Sequence, residues 1–174
     1  MSRLSKAVAA VYSGLIAGLA VVAGAAIAGA FVLIIVDVGI RAAGLRPPAF
    51  TSAVVEYMLL YFTLLAAPWL VRQKGHVYVD TVVTRLPRRA RWPAEKLAYL
   101  VCIVTCLIFS YLGLGLSLDA IRSGGFEERS IDVPLWLNYA PMAPTFLLVA
   151  VEFGRYLVGL DTMYVDRARA PDSL

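Results

Sequence analysis

The chain has 174 residues, 60% of them hydrophobic, and a formal net charge of +4. Soluble domains average about 45–50% apolar residues. The excess here falls in blocks of about 20 residues, the length that crosses a hydrocarbon core about 30 Å thick. This pattern indicates one all-α integral membrane domain and excludes a soluble module large enough to hold its own core. The basic residues flank the apolar blocks, so the positive charge indicates no nucleic-acid partner.

The first apolar block predicts a membrane helix over about residues 11–36. No charged residue occurs between Ala7 and Val36. A signal peptide is the alternative, because small residues near 25–30 resemble a cleavage site, but the apolar run is about twice the length of a signal-peptide core. We therefore expect a retained first helix that is tilted or extends beyond the hydrocarbon. Gly14 and Gly18 have a spacing that lets helix backbones approach closely.

A second membrane helix is predicted over about residues 52–71, with an acidic residue, Glu56, near its start. A lone carboxylate near hydrocarbon is costly, so it should face protein or water and have a partner. Arg41, which ends the preceding helix four residues after Asp37, is the expected partner. We predict an ion pair that fixes the two helices. The alternative, an acid that couples transport to an ion or a proton, stays open.

A short amphipathic helix on the membrane surface is predicted over about residues 77–86. Its apolar residues, from Val79 to Leu86, follow helical spacing. A strand is the alternative, but an unpaired strand at a membrane surface leaves its backbone groups open. The arginines and the tryptophan that follow this predicted helix suit a cytoplasmic headgroup layer. The residues of this predicted cytoplasmic interface are His76, Asp80, Arg88, Arg89, Arg91 and Trp92.

The third membrane helix is predicted over about residues 95–118, and the stretch 119–132 is predicted to be a loop. Cys102 and Cys106 lie on this apolar helix, where small apolar side chains are the expected role for cysteine. Two cysteines with no others nearby indicate no disulfide framework.

The fourth membrane helix is predicted over about residues 142–160, after an interfacial turn over 134–140. Prolines at positions 134, 141 and 144 make a continuous helix through this region unfavourable. Glu152 and Arg155 are three residues apart, so they can neutralise each other near the end of the helix.

The distribution of Lys and Arg predicts the orientation in the membrane. The N-terminal tail, the middle loop and the C-terminal segment together hold 12 of these residues, and the other two loops hold 4. Basic residues accumulate in cytoplasmic loops, so we expect both termini and the middle loop in the cytoplasm.

The sequence shows no nucleophile–base pair, phosphate-binding loop or metal-ligand cluster, so no catalytic residue, cofactor or metal is predicted. A membrane enzyme using Glu56 or His76 is the least favoured interpretation. A chain this short with sparse ionisable groups is typical of an accessory subunit, and a standalone four-helix carrier or channel is the alternative.

A series of short features follows in order over about residues 30–158. They are Arg41, Glu56, the small patch Ala66-Ala67-Pro68, the run His76-Val77-Tyr78-Val79-Asp80, the stop Leu86-Pro87-Arg88-Arg89, and Val133-Pro134-Leu135-Trp136 with Tyr139. The order of these features resembles the small membrane subunit of tripartite ATP-independent periplasmic (TRAP) transporters. One departure is Pro144-Thr145, where the family commonly has Pro-x-Gly.

The resemblance implies a scaffold partner of a large permease subunit in the bacterial inner membrane. That large subunit holds the substrate and sodium sites, and a periplasmic binding protein delivers an organic acid such as a dicarboxylate or a sugar acid. Membrane lipids are expected around the subunits. The loop Glu127-Glu128-Arg129 and the loop 46–52 would then face the binding protein, and the helix over 77–86 would brace the scaffold.

Overall fold

The computed structural model of the chain describes residues 3–74, 88–128 and 132–159. The predicted interfacial helix over 77–86 lies outside the described residues, together with His76, Asp80 and Arg129.

The described part of the chain is all-α apart from one short hairpin, which confirms the predicted fold class at that level. Residues Phe126–Glu128 and Asp132–Pro134 form two antiparallel strands in which Phe126 is opposite Pro134. The elements in chain order are α1 (Arg3–Ala42), α2 (Phe50–Arg72), α3 (Arg88–Ser123), β1 (Phe126–Glu128), β2 (Asp132–Pro134), α4 (Trp136–Tyr139) and α5 (Met142–Val158).

Three of the described helices are long and apolar enough to cross a membrane. These stretches are Ala9–Ala42, Phe50–Arg72 and Trp92–Ser123. The fourth predicted span corresponds to α5, which has 17 residues and so extends about 26 Å. The predicted count of four spans is therefore not confirmed, and a crossing by α5 stays a prediction.

The prediction of a loop over 119–132 is wrong for residues 119–123, because α3 continues to Ser123. Ala120 is buried, so packing holds this last turn in the helix. Gly124 then adopts a φ of 61°, the left-handed conformation that commonly ends helices and that glycine adopts without steric cost. The hairpin follows at once, and α4 then forms a single turn inside the predicted turn over 134–140.

The four long helices pack in the order α1, α2, α5, α3, so that α1 and α3 occupy the two edges. The buried residues of α1 are Ile16, Ala23 and Ala30, spaced seven apart. On α3, Tyr99 and Cys106 are buried with the same spacing. A seven-residue repeat keeps one narrow stripe against the neighbouring helix and favours a small crossing angle.

The hydrophobic core lies where α2, α3 and α5 meet. Both cysteines are free, and Cys106 belongs to this core while Cys102 packs against it. The buried residues of the core are Val71, Tyr99, Cys106, Val149, Ala150, Phe153 and Tyr156.

Candidate functional site

Polar side chains of α1, α2 and α5 meet at one end of the bundle, in what we call the inner cluster: Tyr12, Ser13, Arg72, Glu152 and Arg155. The Nη2 atom of Arg72, in the last turn of α2, donates to Ser13 Oγ of α1 at 2.6 Å. The same guanidinium lies 5.9 Å from the centre of the Tyr12 ring, within cation–π range. One arginine therefore joins α2 to two residues of α1.

Glu152 is the buried centre of the inner cluster, with a side chain only 1% exposed. Arg155 Nη1 donates to its Oε2 atom at 2.8 Å. Its charge also acts on the nearby Tyr12 side chain of α1. The Tyr12 hydroxyl and Glu152 Oε1 are both buried and, among the described residues, make no hydrogen bond of ordinary length, although the two side chains interact with each other. Removing one partner of a buried ion pair strongly destabilises the folded protein, because the other charge stays buried without compensation. Glu152 therefore depends on Arg155 for its place in the inner cluster.

Hydrogen bonds from Lys96 and Tyr156 also join this end of α5 to α3 and α2. Lys96 Nζ of α3 donates to the carbonyl oxygens of Tyr156, at 3.2 Å, and of Leu157. A cation at a helix C-terminus offsets the partial negative charge of the free carbonyls. The Tyr156 hydroxyl in turn donates to the Val71 carbonyl near the end of α2, at 2.9 Å.

A second set of contacts, the outer cluster (Tyr57, Tyr61, Glu127, Leu137 and Asn138), joins the hairpin and α4 to α2. Glu127 Oε2 accepts hydrogen bonds from the Tyr57 hydroxyl at 3.1 Å and from Asn138 Nδ2 at 2.5 Å. One turn further along α2, the Tyr61 hydroxyl donates to the Leu137 carbonyl at 2.8 Å. The hairpin and α4 are thus held against α2 by side chains that are distant in sequence.

Close backbone packing joins α3 to the start of α5 on this side of the bundle. A Cβ atom added at Gly113 would lie 2.7 Å from Met142 Cβ and 3.3 Å from the Ala143 nitrogen. Ser110 Oγ donates to the Ala143 carbonyl at 2.9 Å, one turn earlier on α3. The contact therefore requires a residue without a side chain at position 113.

A comparison with known families decides what this bundle is. A family model described as Tripartite ATP-independent periplasmic transporters, DctQ component, matches residues 30–160. The chain belongs to this family. None of the curated proteins and none of the solved structures compared with the chain matches it. The predicted resemblance to the small TRAP subunit is therefore confirmed. The chain is a multi-pass membrane component of a transporter, in a family that is not an enzyme family.

Two ion pairs of this DctQ chain can be located directly, one within α1 and the predicted pair within α5. Arg41 Nε donates to Asp37 Oδ2 at 2.8 Å, and the Asp37 side chain is 16% exposed. Glu152 and Arg155 form the pair in the inner cluster. Glu56 lies on an exposed face of α2. The predicted ion pair between Arg41 and Glu56 stays a prediction.

The other predicted site residues are divided between described and undescribed parts of the DctQ chain. Arg88, Arg89 and Arg91 lie in the first turns of α3, followed by the exposed Trp92. In the predicted docking loop, Glu127 is half-buried in the outer cluster and Glu128 ends β1.

Sequence reasoning missed most of the residues that join the helices. Tyr12, Arg72 and Lys96 were not singled out. Arg72 and Lys96 each contact residues that are 59 to 61 positions away along the chain. The sequence does carry one signal, since these polar side chains all fall within a turn or two of a predicted helix end.

Proposed function

We propose that this DctQ chain is the small permease subunit of a sodium-coupled TRAP transporter and acts as a scaffold for the large permease subunit. The transported solute would be an organic acid of the dicarboxylate or sugar-acid type, delivered by a periplasmic binding protein. Family membership supports the assignment to a three-component transporter.

The observation that carries the scaffold role is the position of the charged residues. The stretches 7–36, 57–71, 97–118 and 142–151 contain no Asp, Glu, Lys or Arg. Carriers commonly place substrate and ion sites near the membrane midplane, at broken helices and ionisable groups. Here the charged contacts of the inner and outer clusters lie toward the helix ends and join helices to one another. This arrangement favours a rigid support over a transport pathway within the chain.

The same arrangement supports an orientation in the bacterial inner membrane with both termini in the cytoplasm. The inner cluster, with Arg72 and Arg155, would then lie on the cytoplasmic side, where basic residues accumulate. The outer cluster and the hairpin would face the periplasm, and the loop Glu127-Glu128-Arg129 would contribute to a docking surface for the binding protein. Lipids would cover the exposed apolar surfaces of the edge helices α1 and α3.

Purification of the tagged chain from its native membrane in mild detergent tests the proposal. We expect a large multi-span permease to co-purify at near equal stoichiometry. Liposomes that contain the chain alone should show no solute uptake, whereas the complete three-component system should take up the organic acid only with an inward sodium gradient. Uptake by the chain alone would overturn the scaffold role and favour a standalone carrier.

A further inference from the structure

The inner cluster carries more positive than negative charge. It contains two guanidinium groups, those of Arg72 and Arg155, and one carboxylate, that of Glu152. Glu152 forms its salt bridge with Arg155. Arg72 contacts the neutral Ser13 hydroxyl and the Tyr12 ring, and the salt bridges within the described part of the chain do not include it. Two positive charges and one negative charge leave the cluster with a net charge of +1.

Both guanidinium groups of the inner cluster lie near the Tyr12 side chain. Arg72 is 5.9 Å from the centre of the Tyr12 ring, and Arg155 is bonded to Glu152, which interacts with Tyr12. Within the described part of the chain, the side-chain hydrogen bonds of the two arginines engage Arg72 Nη2 and Arg155 Nη1. A guanidinium group has several N–H donors in a planar fork that matches phosphate oxygens. Each arginine therefore has donors available for a further anion.

The whole end of the bundle that holds the inner cluster is basic. Among the described residues, this end carries nine Lys or Arg and two acidic residues, a net charge of +7, whereas the opposite end carries three and six, a net charge of −3. The charged residues at the basic end are Arg3, Lys6, Arg72, Lys74, Arg88, Arg89, Arg91, Glu95, Lys96, Glu152 and Arg155. Those at the opposite end are Asp37, Arg41, Arg46, Glu56, Asp119, Arg122, Glu127, Glu128 and Asp132. The field of the bundle therefore attracts an anion to the inner cluster.

Two tryptophans indicate that the inner cluster lies at the level of the lipid headgroups. Trp69, one turn before Arg72 on α2, is exposed, and so is Trp92, where the apolar stretch of α3 begins. Tryptophan side chains accumulate at the boundary between membrane and water. Leu15, one turn deeper along α1 than Tyr12, is also exposed. Apolar surface therefore continues from the cluster toward the hydrocarbon, where an acyl chain can lie.

We propose that the inner cluster binds the phosphate group of an anionic phospholipid, with Arg72 and Arg155 as the hydrogen-bond donors. A phosphodiester carries one negative charge, which neutralises the net charge of the cluster, and hydrogen bonds between charged groups are the strong ones. A zwitterionic lipid would add its own ammonium group to a site that is already basic. The bound lipid would contact α1, α2 and α5 together. This inference goes beyond the proposed function, because it does not depend on a partner subunit.

Native mass spectrometry of the purified full-length chain in a neutral detergent tests the proposal. The chain is titrated with phosphatidylglycerol and, separately, with phosphatidylcholine that has the same acyl chains. We expect one phosphatidylglycerol molecule to be retained at concentrations where phosphatidylcholine is not. Inorganic phosphate added in excess should not displace the lipid, because it has no acyl chain. Displacement would show a site for free phosphate and would overturn the proposal.

Substitutions within the inner cluster locate the lipid. Arg72→Gln should weaken phosphatidylglycerol binding about tenfold, because charge-assisted hydrogen bonds are lost, while the glutamine amide can still donate to Ser13. Arg122→Gln is the control, because Arg122 lies at the opposite end of α3 with its side chain 79% exposed, and it should bind as the wild type does. Glu152→Gln should strengthen binding, because it removes the negative charge of the cluster. A purely structural role of Glu152 predicts no such gain.

Arg72→Lys provides a second test that retains the positive charge and the long side chain. Its affinity for phosphatidylglycerol should lie between those of the wild type and Arg72→Gln, because lysine lacks the planar fork of donors. Equal affinities of Arg72→Gln and Arg122→Gln would show that the lipid binds elsewhere. Absence of retained phosphatidylglycerol would show that a carboxylate of the chain or of a partner neutralises the cluster instead. Either result overturns this inference and leaves the co-purification and uptake tests of the proposed function unaffected.

Discussion

Gly113→Ala is a sensitive test of the packing between α3 and α5. The added Cβ would lie 2.7 Å from Met142 Cβ, a distance that requires a backbone shift because a Cβ atom cannot rotate away. Overpacking of this kind costs about 1–3 kcal/mol. Replacing a helical glycine by alanine also gains about 1 kcal/mol of helix propensity, so the net loss of stability is between about 0 and 2 kcal/mol.

Gly115→Ala is the matched control, because it gains the same propensity on the same helix and its added Cβ meets nothing within 4 Å. The propensity contribution cancels between the two variants, which leaves a difference of about 1–3 kcal/mol. At about 2–4 °C per kcal/mol for a chain of this size, the melting temperature of Gly113→Ala should lie several degrees below that of Gly115→Ala. Thermal unfolding of the purified chains in one detergent measures this difference. Equal melting temperatures would show that the close approach at position 113 does not constrain the bundle.

Three further variants test the clusters. Glu152→Ala should lower the free energy of unfolding by up to about 3–5 kcal/mol, and by less where the partial exposure of Arg155 lets water solvate its unpaired charge. Denaturation in mixed micelles measures this free energy. Tyr156→Phe should cost about 1 kcal/mol because it removes a hydrogen bond to a carbonyl near the end of α2. Tyr12→Phe removes a hydroxyl that interacts with Glu152 but makes no hydrogen bond of ordinary length among the described residues, so it should cost less, and a loss equal to that of Tyr156→Phe would contradict this distinction. Glu127→Ala should increase amide hydrogen exchange in the hairpin, because two hydrogen bonds that hold it are lost, and Tyr57→Phe, which removes one of them, should have a smaller effect.

The sequence predicted well those features that depend on neighbouring residues. Long uncharged blocks indicated apolar helices, and the pair Glu152–Arg155 could be proposed because residues three apart share a helix face. The continuation of α3 to Ser123 was missed, because the polar residues after position 118 also suit a loop. The three-residue strands of the hairpin were too short to give an alternating pattern.

Contacts between distant residues could not be predicted, because they depend on which helices become neighbours. Glu127 was expected to contribute to an exposed docking surface, yet its carboxylate accepts hydrogen bonds from Tyr57 on α2 and from Asn138. Likewise, the apolar pattern of α1 does not reveal that Arg72 reaches Ser13. The membrane bundle was predictable from composition, whereas the side chains that join its helices could be identified only once the packing order of the helices was known.

The packing order has a consequence for how the protein is made. The pairs α1–α2 and α3–α5 have more extensive contacts within each pair than α2 has with α5. Each pair is also consecutive in the chain apart from the short hairpin and α4. As the nascent chain leaves the ribosome, the first helical pair can therefore assemble before the second has been synthesised, because its contacts lie within the first 72 residues. Two polypeptides divided within residues 75–87, expressed together, would each carry a complete helical pair and should reassociate through α2 and α5.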